Sequence, residues 1–366
     1  MSEPRTLEEI VTPAAVIDVE RMAANLEKMA RYTFKYGLAL YPHTKTHKTP
    51  ELSQEQLRRG ASGLTVATLH EAEVMAAVST EILLAYPPIG YPKLDRLVAL
   101  AERTHVTVAI DSRVALDGLR TALRRSGVRV GVLVELDVGM RRVGVTSPED
   151  AVTLAQAVAD SRDVDYHGVL FYPGHIREPV QEQKYVIATT RALINEFLTA
   201  LITAGLAPRR VSGGSTPTAY SSHVFESVNE VRPGTYIFND RTTSTIGACE
   251  WQDCAYSVLA TVVSTAVPGQ AVVDAGAKAL FREELRGTPA SGFGALLDRP
   301  EVTVKAMSEE HGLLDLSQTE WRPRIGDRVR IVPNHVCVSV NLHDTLWLER
   351  AGELVGSYAV AARGWH

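Results

Sequence analysis

Cysteine is scarce in this sequence. The three present, Cys249, Cys254 and Cys337, are too few for a disulfide framework, and the Cys249-x4-Cys254 spacing lacks the second pair of ligands of a structural zinc site. Positive charge is not in excess either. The formal net charge is −5 and no basic stripe carries interleaved aromatics, which argues against a nucleic-acid partner. No apolar run approaches the ~18–20 residues of a membrane helix, so no membrane partner is expected. Behind Met1-Ser2-Glu3-Pro4-Arg5 there is no apolar signal core, and the expected location is cytoplasmic. Internal repeats and low-complexity stretches are missing as well.

What is present fits a globular chain, with 45% hydrophobic and 22% charged residues. Its 366 residues suffice for one large domain with a smaller one, or for two. The first two-thirds alternate short apolar runs (38–41, 63–66, 82–85, 106–110, 131–136, 166–171, 210–212 and 229–231) with amphipathic stretches (20–36, 69–78, 92–103, 112–126, 148–159 and 183–204). Asp18, Ser112 and Ser147 stand where helix N-caps belong, the last followed by Pro148. Eight strand-then-helix units predict an α/β fold, a (β/α)8 TIM barrel. Beyond about residue 240 the texture changes to β-branched runs at 256–265, 271–274, 301–306, 328–332, 345–349 and 353–359, separated by turn signals and without helical periodicity. That predicts a mostly antiparallel β domain. The expected division is 1–18 as an N-terminal strand packing with the β domain, 19–240 as the barrel, and 241–366 as the β domain.

One segment stands out chemically. Pro42-His43-Thr44-Lys45-Thr46-His47-Lys48 places two lysines and two histidines just past the first predicted barrel strand. A lysine among other cationic groups has reason to lose its proton, and a neutral amine forms a Schiff base with an aldehyde. Taken alone, the segment reads equally as a basic surface loop. Catalytic residues of barrels sit at the C-terminal strand ends, where Lys45 falls. The seventh run is followed by Ser212-Gly213-Gly214-Ser215-Thr216-Pro217-Thr218 and the eighth by Arg232-Pro233-Gly234-Thr235-Tyr236. Glycines admit backbone N–H groups close to an anion and hydroxyls add donors. A lysine after strand one and a phosphate cup after strands seven and eight describe a pyridoxal phosphate (PLP) site.

Further along, His335-Val336-Cys337 lies in a segment read as a strand, where residues two apart share a face. An imidazole and a thiolate side by side are good ligands for a divalent metal, although such a pair on its own is more often packing.

These pieces together resemble the fold-type III PLP enzymes, and within them the D-serine dehydratase / D-threonine aldolase group. The resemblance runs through Thr12-Pro13-Ala14, the Lys45 segment, Asp137-Val138-Gly139-Met140-Arg141-Arg142-Val143-Gly144, Tyr172-Pro173-Gly174-His175, Gly213-Gly214-Ser215-Thr216-Pro217, Asp274-Ala275-Gly276-Ala277-Lys278, Glu309-Glu310-His311-Gly312 and Pro333-Asn334-His335-Val336-Cys337. It implies that Lys45 carries PLP in Schiff-base linkage, that Arg142 faces the pyridine nitrogen and that Tyr172 lies close to the cofactor. The phosphate cup would be Gly213, Gly214, Ser215, Thr216, Gly234 and Tyr236. His335 and Cys337 would hold a divalent metal, zinc by ligand type with manganese or magnesium as alternatives. PLP with a Lewis acid on a β-hydroxyl suits 3-hydroxy-D-amino acids. Dehydration to a keto acid and ammonia is the leading outcome, because the position two beyond the histidine is Cys337. Retro-aldol cleavage to glycine and an aldehyde is the alternative, with His175 as the nearest candidate for its base.

The resemblance further implies a homodimer. An amino-acid racemase, a PLP-carrier protein and a PLP-free metal hydrolase fit less well, the carrier because it lacks the β domain. One departure stands out: Tyr41 occupies the position before Pro-His where the family usually has arginine.

Overall fold

The computed structural model describes residues 4–285 and 288–364. Two compact units emerge. One comprises Lys28–Lys45 and Pro50–Gly234, the other Met1–Glu27, Thr46–Thr49 and Thr235–Gly364. The first regular elements in the chain are β1 (Ala14–Asp18) and α1 (Val19–Tyr36). Asp18 caps α1, accepting the N–H groups of Glu20 and Arg21 at 3.0 Å.

The unit containing Pro50–Gly234 is built on β2 (Ala39–Leu40), α2 (Pro50–Arg58), β3 (Leu64–Val66), α3 (Leu69–Met75), β4 (Glu81–Leu84), α4 (Tyr91–Ala101), β5 (His105–Ile110), α5 (Arg113–Leu123), β6 (Val130–Leu136), α6 (Pro148–Ala159), β7 (Val164–Phe171), α7 (Lys184–Thr203), β8 (Arg210–Gly213) and β9 (Glu230–Val231). The eight strands β2–β9 pair in parallel in the order β2-β9-β8-β7-β6-β5-β4-β3. The two edges meet through Ser62 N–H to the Leu40 carbonyl (2.8 Å) and Thr65 N–H to the Pro42 carbonyl (2.9 Å), so the sheet curls into the expected barrel. Ser112 and Ser147 cap α5 and α6 as predicted. Each such cap contributes about 1 kcal/mol.

Two features of this unit were not anticipated. Helix α2 buries only Leu52, Ser53 and Gln56, so its sequence carries no apolar stripe to announce it. After β8 the connection is a 3-10 turn, Ala219–Phe225, instead of an α-helix. A third point corrects the sequence reading: α7 is by length and composition apolar enough to cross a membrane. In the structure it buries Ile187, Ile194, Phe197, Leu198 and Leu201.

Leu83, Ala109, Leu133 and Leu170, one each from β4 to β7, form a buried layer on which Tyr41 and Ala85 pack. Arg210 Nη1 donates to Thr107 Oγ1 at 3.1 Å although β8 and β5 are not neighbours, so these side chains meet inside the barrel. Strand alternation then turns Ala109 and Asp111, and Leu133 and Glu135, inward as well.

The second unit is a nine-stranded sheet. It contains β1 together with β10 (Tyr256–Ser264), β11 (Gln270–Val273), β12 (Gly294–Leu296), β13 (Val304–Met307), β14 (Gly312–Asp315), β15 (Arg328–Pro333), β16 (Thr345–Arg350) and β17 (Glu353–Ala359). All its ladders are antiparallel except β1 with β16, and β1 lies between β10 and β16. Helical segments were not expected here, yet α8 (Arg241–Thr245), α9 (Ala277–Leu280) and α10 (Val336–Asn341) interrupt the strands.

Candidate active site

The barrel sorts the basic cluster that opened the question. Tyr41 and His43 donate their backbone N–H groups to the carbonyls of Val231 (2.9 Å) and Pro233 (3.0 Å), which fixes the loop at the strand ends. A single 3-10 turn, Thr44–Thr46, follows, with Thr44 Oγ1 donating to the Thr65 carbonyl at 3.2 Å. Lys45 sits on this turn, half-buried, with Nζ 6.0 Å from the centre of the Tyr172 ring. The other unit takes up the next residues. His47 is fully buried and its Nδ1 accepts the Thr49 N–H at 3.1 Å. Lys48 donates to the carbonyls of Ala362 (3.3 Å) and Gly364 (3.0 Å). Of the two lysines, Lys45 stands over the Tyr172 ring while Lys48 is buried among chain-end carbonyls.

Tyr172 follows β7. Its ring also receives the Arg142 guanidinium, 5.0 Å from the ring centre. Arg142 comes from a tight loop after β6 that is pinned by Asp137, whose Oδ1 accepts the N–H groups of Gly139 (2.9 Å) and Arg141 (3.0 Å). Gly139 has φ +121°, and a Cβ there would lie 3.0 Å from His175 Cε1. The glycine therefore lets the imidazole settle against the loop. His175 Nε2 lies 3.3 Å from Thr190 Oγ1, while Nδ1 is buried without a partner. Burial pushes the His175 imidazole below its ordinary value, which keeps it neutral and able to accept a proton.

Gly213 and Gly214 end β8, and Gly214 needs its φ of +97° to turn the chain. Ser215 and Thr216 are buried. Among the described residues, the backbone N–H groups of Gly214, Ser215, Thr216 and Gly234 have no protein acceptor, which is the donor set an anion requires. Tyr236 is buried and belongs to the second unit, in the turn Thr235–Ile237.

Arg232 holds the strand ends together. It is 5% exposed, and it donates through Nε to Ser212 Oγ (2.9 Å) and through Nη2 to the Phe171 carbonyl (2.6 Å). One guanidinium thus ties the ends of β7, β8 and β9, which carry Tyr172, the glycine pair and Gly234. Deeper in the barrel, Ser212 Oγ donates to Glu230 and Arg210 pairs with Glu230 at 2.6 Å. The Arg210 guanidinium stands 4.8 Å above the Tyr41 ring. Tyr41 is therefore an aromatic packed on the buried barrel layer beneath a cation that β8 supplies.

In the second unit the metal-type pair is built differently from expectation. His335 and Cys337 are not on a strand. β15 stops at Pro333, His335 is the N-cap residue of α10, and Cys337 lies in its first turn. The β-branched run Val336-x-Val338-x-Val340 has strand propensity, but a buried carboxylate overrides it. Asp240 Oδ2 accepts the Val336 N–H at 3.1 Å, capping the helix from outside it. The same oxygen lies 3.2 Å from His335 Nδ1. A carboxylate only accepts, so Nδ1 carries a hydrogen toward Asp240 and Nε2 is the nitrogen left to face Cys337 or a metal ion.

Cys337 Sγ lies 3.2 Å from Thr46 Oγ1 and 3.9 Å from Thr235 Oγ1. Burial alone would push the His335 imidazole down; Cys337 and Asp240 outweigh it and hold the ring well above its ordinary value. The two groups that draw a proton to the ring are also groups that can hold a cation. Among the described residues no set of three or more His, Cys, Asp or Glu side chains forms a metal site. A two-donor set leaves coordination positions open, as a catalytic metal needs.

Known proteins carry the same two-part construction. Residues 17–242 match the alanine racemase N-terminal domain and residues 255–348 the putative serine dehydratase domain. The chain belongs to the fold-type III PLP enzymes. Within that family it is similar to the D-threo-3-hydroxyaspartate dehydratase of Delftia sp. (strain HT23), with 34% identity over 91% of this chain and 93% of that enzyme. The crystal structure of D-threonine aldolase from Filomicrobium marinum superimposes with a TM-score of 0.91 at 32% identity, covering 100% of this chain and 99% of that one. A cysteine-to-alanine mutant of a D-threo-3-hydroxyaspartate dehydratase in the metal-free form gives a TM-score of 0.89 at 31% identity over 98% and 100% of the two chains. The relatives are PLP-dependent lyases, and this chain is an enzyme of that type.

Sequence reasoning missed two residues that organise these sites, Arg232 as a clamp and Asp240, and did not single out Glu135, a buried acid near the end of β6. Arg232 had been read only as part of a turn. An aspartate three residues before a threonine is a legible capping signal, but its reach to residue 336 is not.

Proposed function

We propose that this chain is a PLP- and divalent-metal-dependent lyase of 3-hydroxy-D-amino acids. It works as a dehydratase of the D-serine dehydratase type, giving a keto acid and ammonia. The observation that supports this reading most is the His335–Cys337 pair with Asp240 behind the imidazole. Cys337 gives the pair a soft thiolate, which suits zinc. When bound, PLP supplies an electron sink for the substrate Cα and the metal a Lewis acid for the β-hydroxyl.

The chain's own residues divide the remaining work. Lys45 bonds the cofactor aldehyde and is the amine positioned to move the Cα proton. Gly213, Gly214, Ser215, Thr216 and Gly234 offer the phosphate its donors. Tyr172 presents an aromatic face and Arg142 a permanent cation for the ring side. His335 Nε2 and Cys337 Sγ are the metal donors. Retro-aldol cleavage to glycine and an aldehyde is the second reading, favoured by the half-buried imidazole of His175, which burial biases toward its neutral form and so toward accepting a β-hydroxyl proton. The resemblance to this family also leads us to propose a homodimer, which sedimentation velocity would test.

One assay separates the two reactions. Purified enzyme is given D-serine, D-threonine and D-3-hydroxyaspartate. Keto acid with ammonia is expected; glycine with aldehyde would replace the dehydratase reading with the aldolase one, and neither product would sink both. Exhaustive chelation is expected to stop turnover while the bound-cofactor absorbance stays.

A further inference from the structure

Glu135 is the last inward-facing side chain of β6, two residues beyond Leu133 of the buried layer. It is 5% exposed. A cavity of about 10 Å³, room for about one water, is lined by Glu135, Asp137, Met140, Arg142 and Tyr172. The Glu135 carbonyl also accepts the Val145 N–H at 2.9 Å, closing the loop that presents Arg142. We propose that Glu135 is a positioning residue for Arg142: with no direct ion pair between them, its carboxylate steadies the exposed guanidinium at the Tyr172 ring across the small cavity that both side chains line.

The inference rests on the cofactor reading of Arg142 and Tyr172 for its meaning, but not for its geometry. An inward carboxyl in a nearly dry barrel is stable as an anion only where cations face it. Arg232 faces Glu135 from the end of β9 and Arg142 from its own loop, both favouring the anion. Asp111 from the end of β5 and Asp137 from the end of β6 oppose it. Tyr172 faces the cavity from β7, with the Lys45 amine beyond its ring. Burial is the strongest influence, and the balance pushes Glu135 up to about 7. Below that pH the carboxyl is largely protonated and its hold on Arg142 weakens; above it the anion is present and the hold is full.

The link is testable without cofactor. In apo-protein carrying carbon-13-labelled glutamate side chains, the Glu135 resonance is identified by its loss in Glu135→Gln, and its titration is followed by NMR. Arg142→Gln is expected to move that midpoint upward, because a favourable cation has gone; an unmoved midpoint overturns the proposal. A second arm uses the PLP-loaded enzyme. The bound-cofactor absorbance of the wild type is expected to step with pH near neutrality, and Glu135→Gln to abolish the step while keeping cofactor bound. On an Arg142→Gln background, Glu135→Gln should then change kcat no further. A step that persists in Glu135→Gln, or fully additive effects, also overturns it. If Glu135→Gln does not fold, Glu135→Asp serves in both arms: the step must shift, and an unshifted step counts against the proposal. A wild type that takes up no PLP refutes the cofactor reading alone, since the NMR arm still decides the Glu135–Arg142 link.

Discussion

The barrel mouth and the His335–Cys337 turn hold their candidate functional side chains by different means. At the barrel mouth each group comes from a different strand end, and parallel register sets the spacing: Lys45 after β2, Arg142 after β6, Tyr172 after β7, the glycine pair after β8 and Gly234 after β9. Support is spread over backbone bonds and the Arg232 clamp. In the His335–Cys337 turn, Asn334 and Ser339 pin the backbone on either side, but one side chain both caps the helix and orients the imidazole. Asp240, fully buried, accepts Thr243 N–H and Thr243 Oγ1 at 2.9 Å through Oδ1, and serves Val336 N–H and His335 Nδ1 through Oδ2. A register-built site loses function piece by piece. An imidazole oriented by one carboxylate is expected to weaken with that carboxylate.

That contrast can be broken. Lys45→Ala carries the largest expected effect. Lys45 is half-buried on a turn that backbone bonds already hold, so the variant should fold as the wild type does while bound-cofactor absorbance and turnover vanish. Retained absorbance would remove Lys45 from its role. Arg232→Gln comes next, and tests whether support at the barrel mouth is really distributed. It leaves Glu230 and Glu135 short of a buried cation and the Phe171 carbonyl short of a donor. A loss of about 3–5 kcal/mol in unfolding free energy is expected from denaturant titration. A loss under about 1 kcal/mol would mean that the strand ends do not need the clamp.

The two regions also differ in how much of them the sequence disclosed. All eight barrel strands were legible because runs such as 82–85 are apolar throughout, as strands covered on both faces tend to be. Helix α2 was not, because it buries a serine and a glutamine instead of a stripe. Lys45, the glycine pair and Gly234 could be placed at strand ends by counting alone. Glu135 could not, since a single acid in an apolar run says nothing about the cations that face it from β9 and the next loop. In the other unit the pairing of His335 with Cys337 was found by spacing, but their secondary structure was read wrongly. Local propensity in Val336-Cys337-Val338 favours a strand, and the deciding contact comes from Asp240, far away in sequence.

Asp240→Asn sharpens the comparison most finely and has the smallest expected effect. The amide keeps one oxygen acceptor but turns an NH2 group toward the donors of the other, so the fold should lose about 1–3 kcal/mol. What it loses is the anion that fixes His335 Nδ1–H and strengthens Nε2 as a donor. Removing such a carboxylate behind a ligating imidazole typically costs 10–100-fold in metal affinity, roughly 1.4–2.8 kcal/mol. A competitive chelator titration with zinc measures it against the wild type and against Cys337→Ala, which removes a donor outright. The Asn variant should fall between the two. If it binds zinc as tightly as the wild type, the imidazole is held by the helix itself, and the His335–Cys337 turn is as distributed in its support as the barrel mouth.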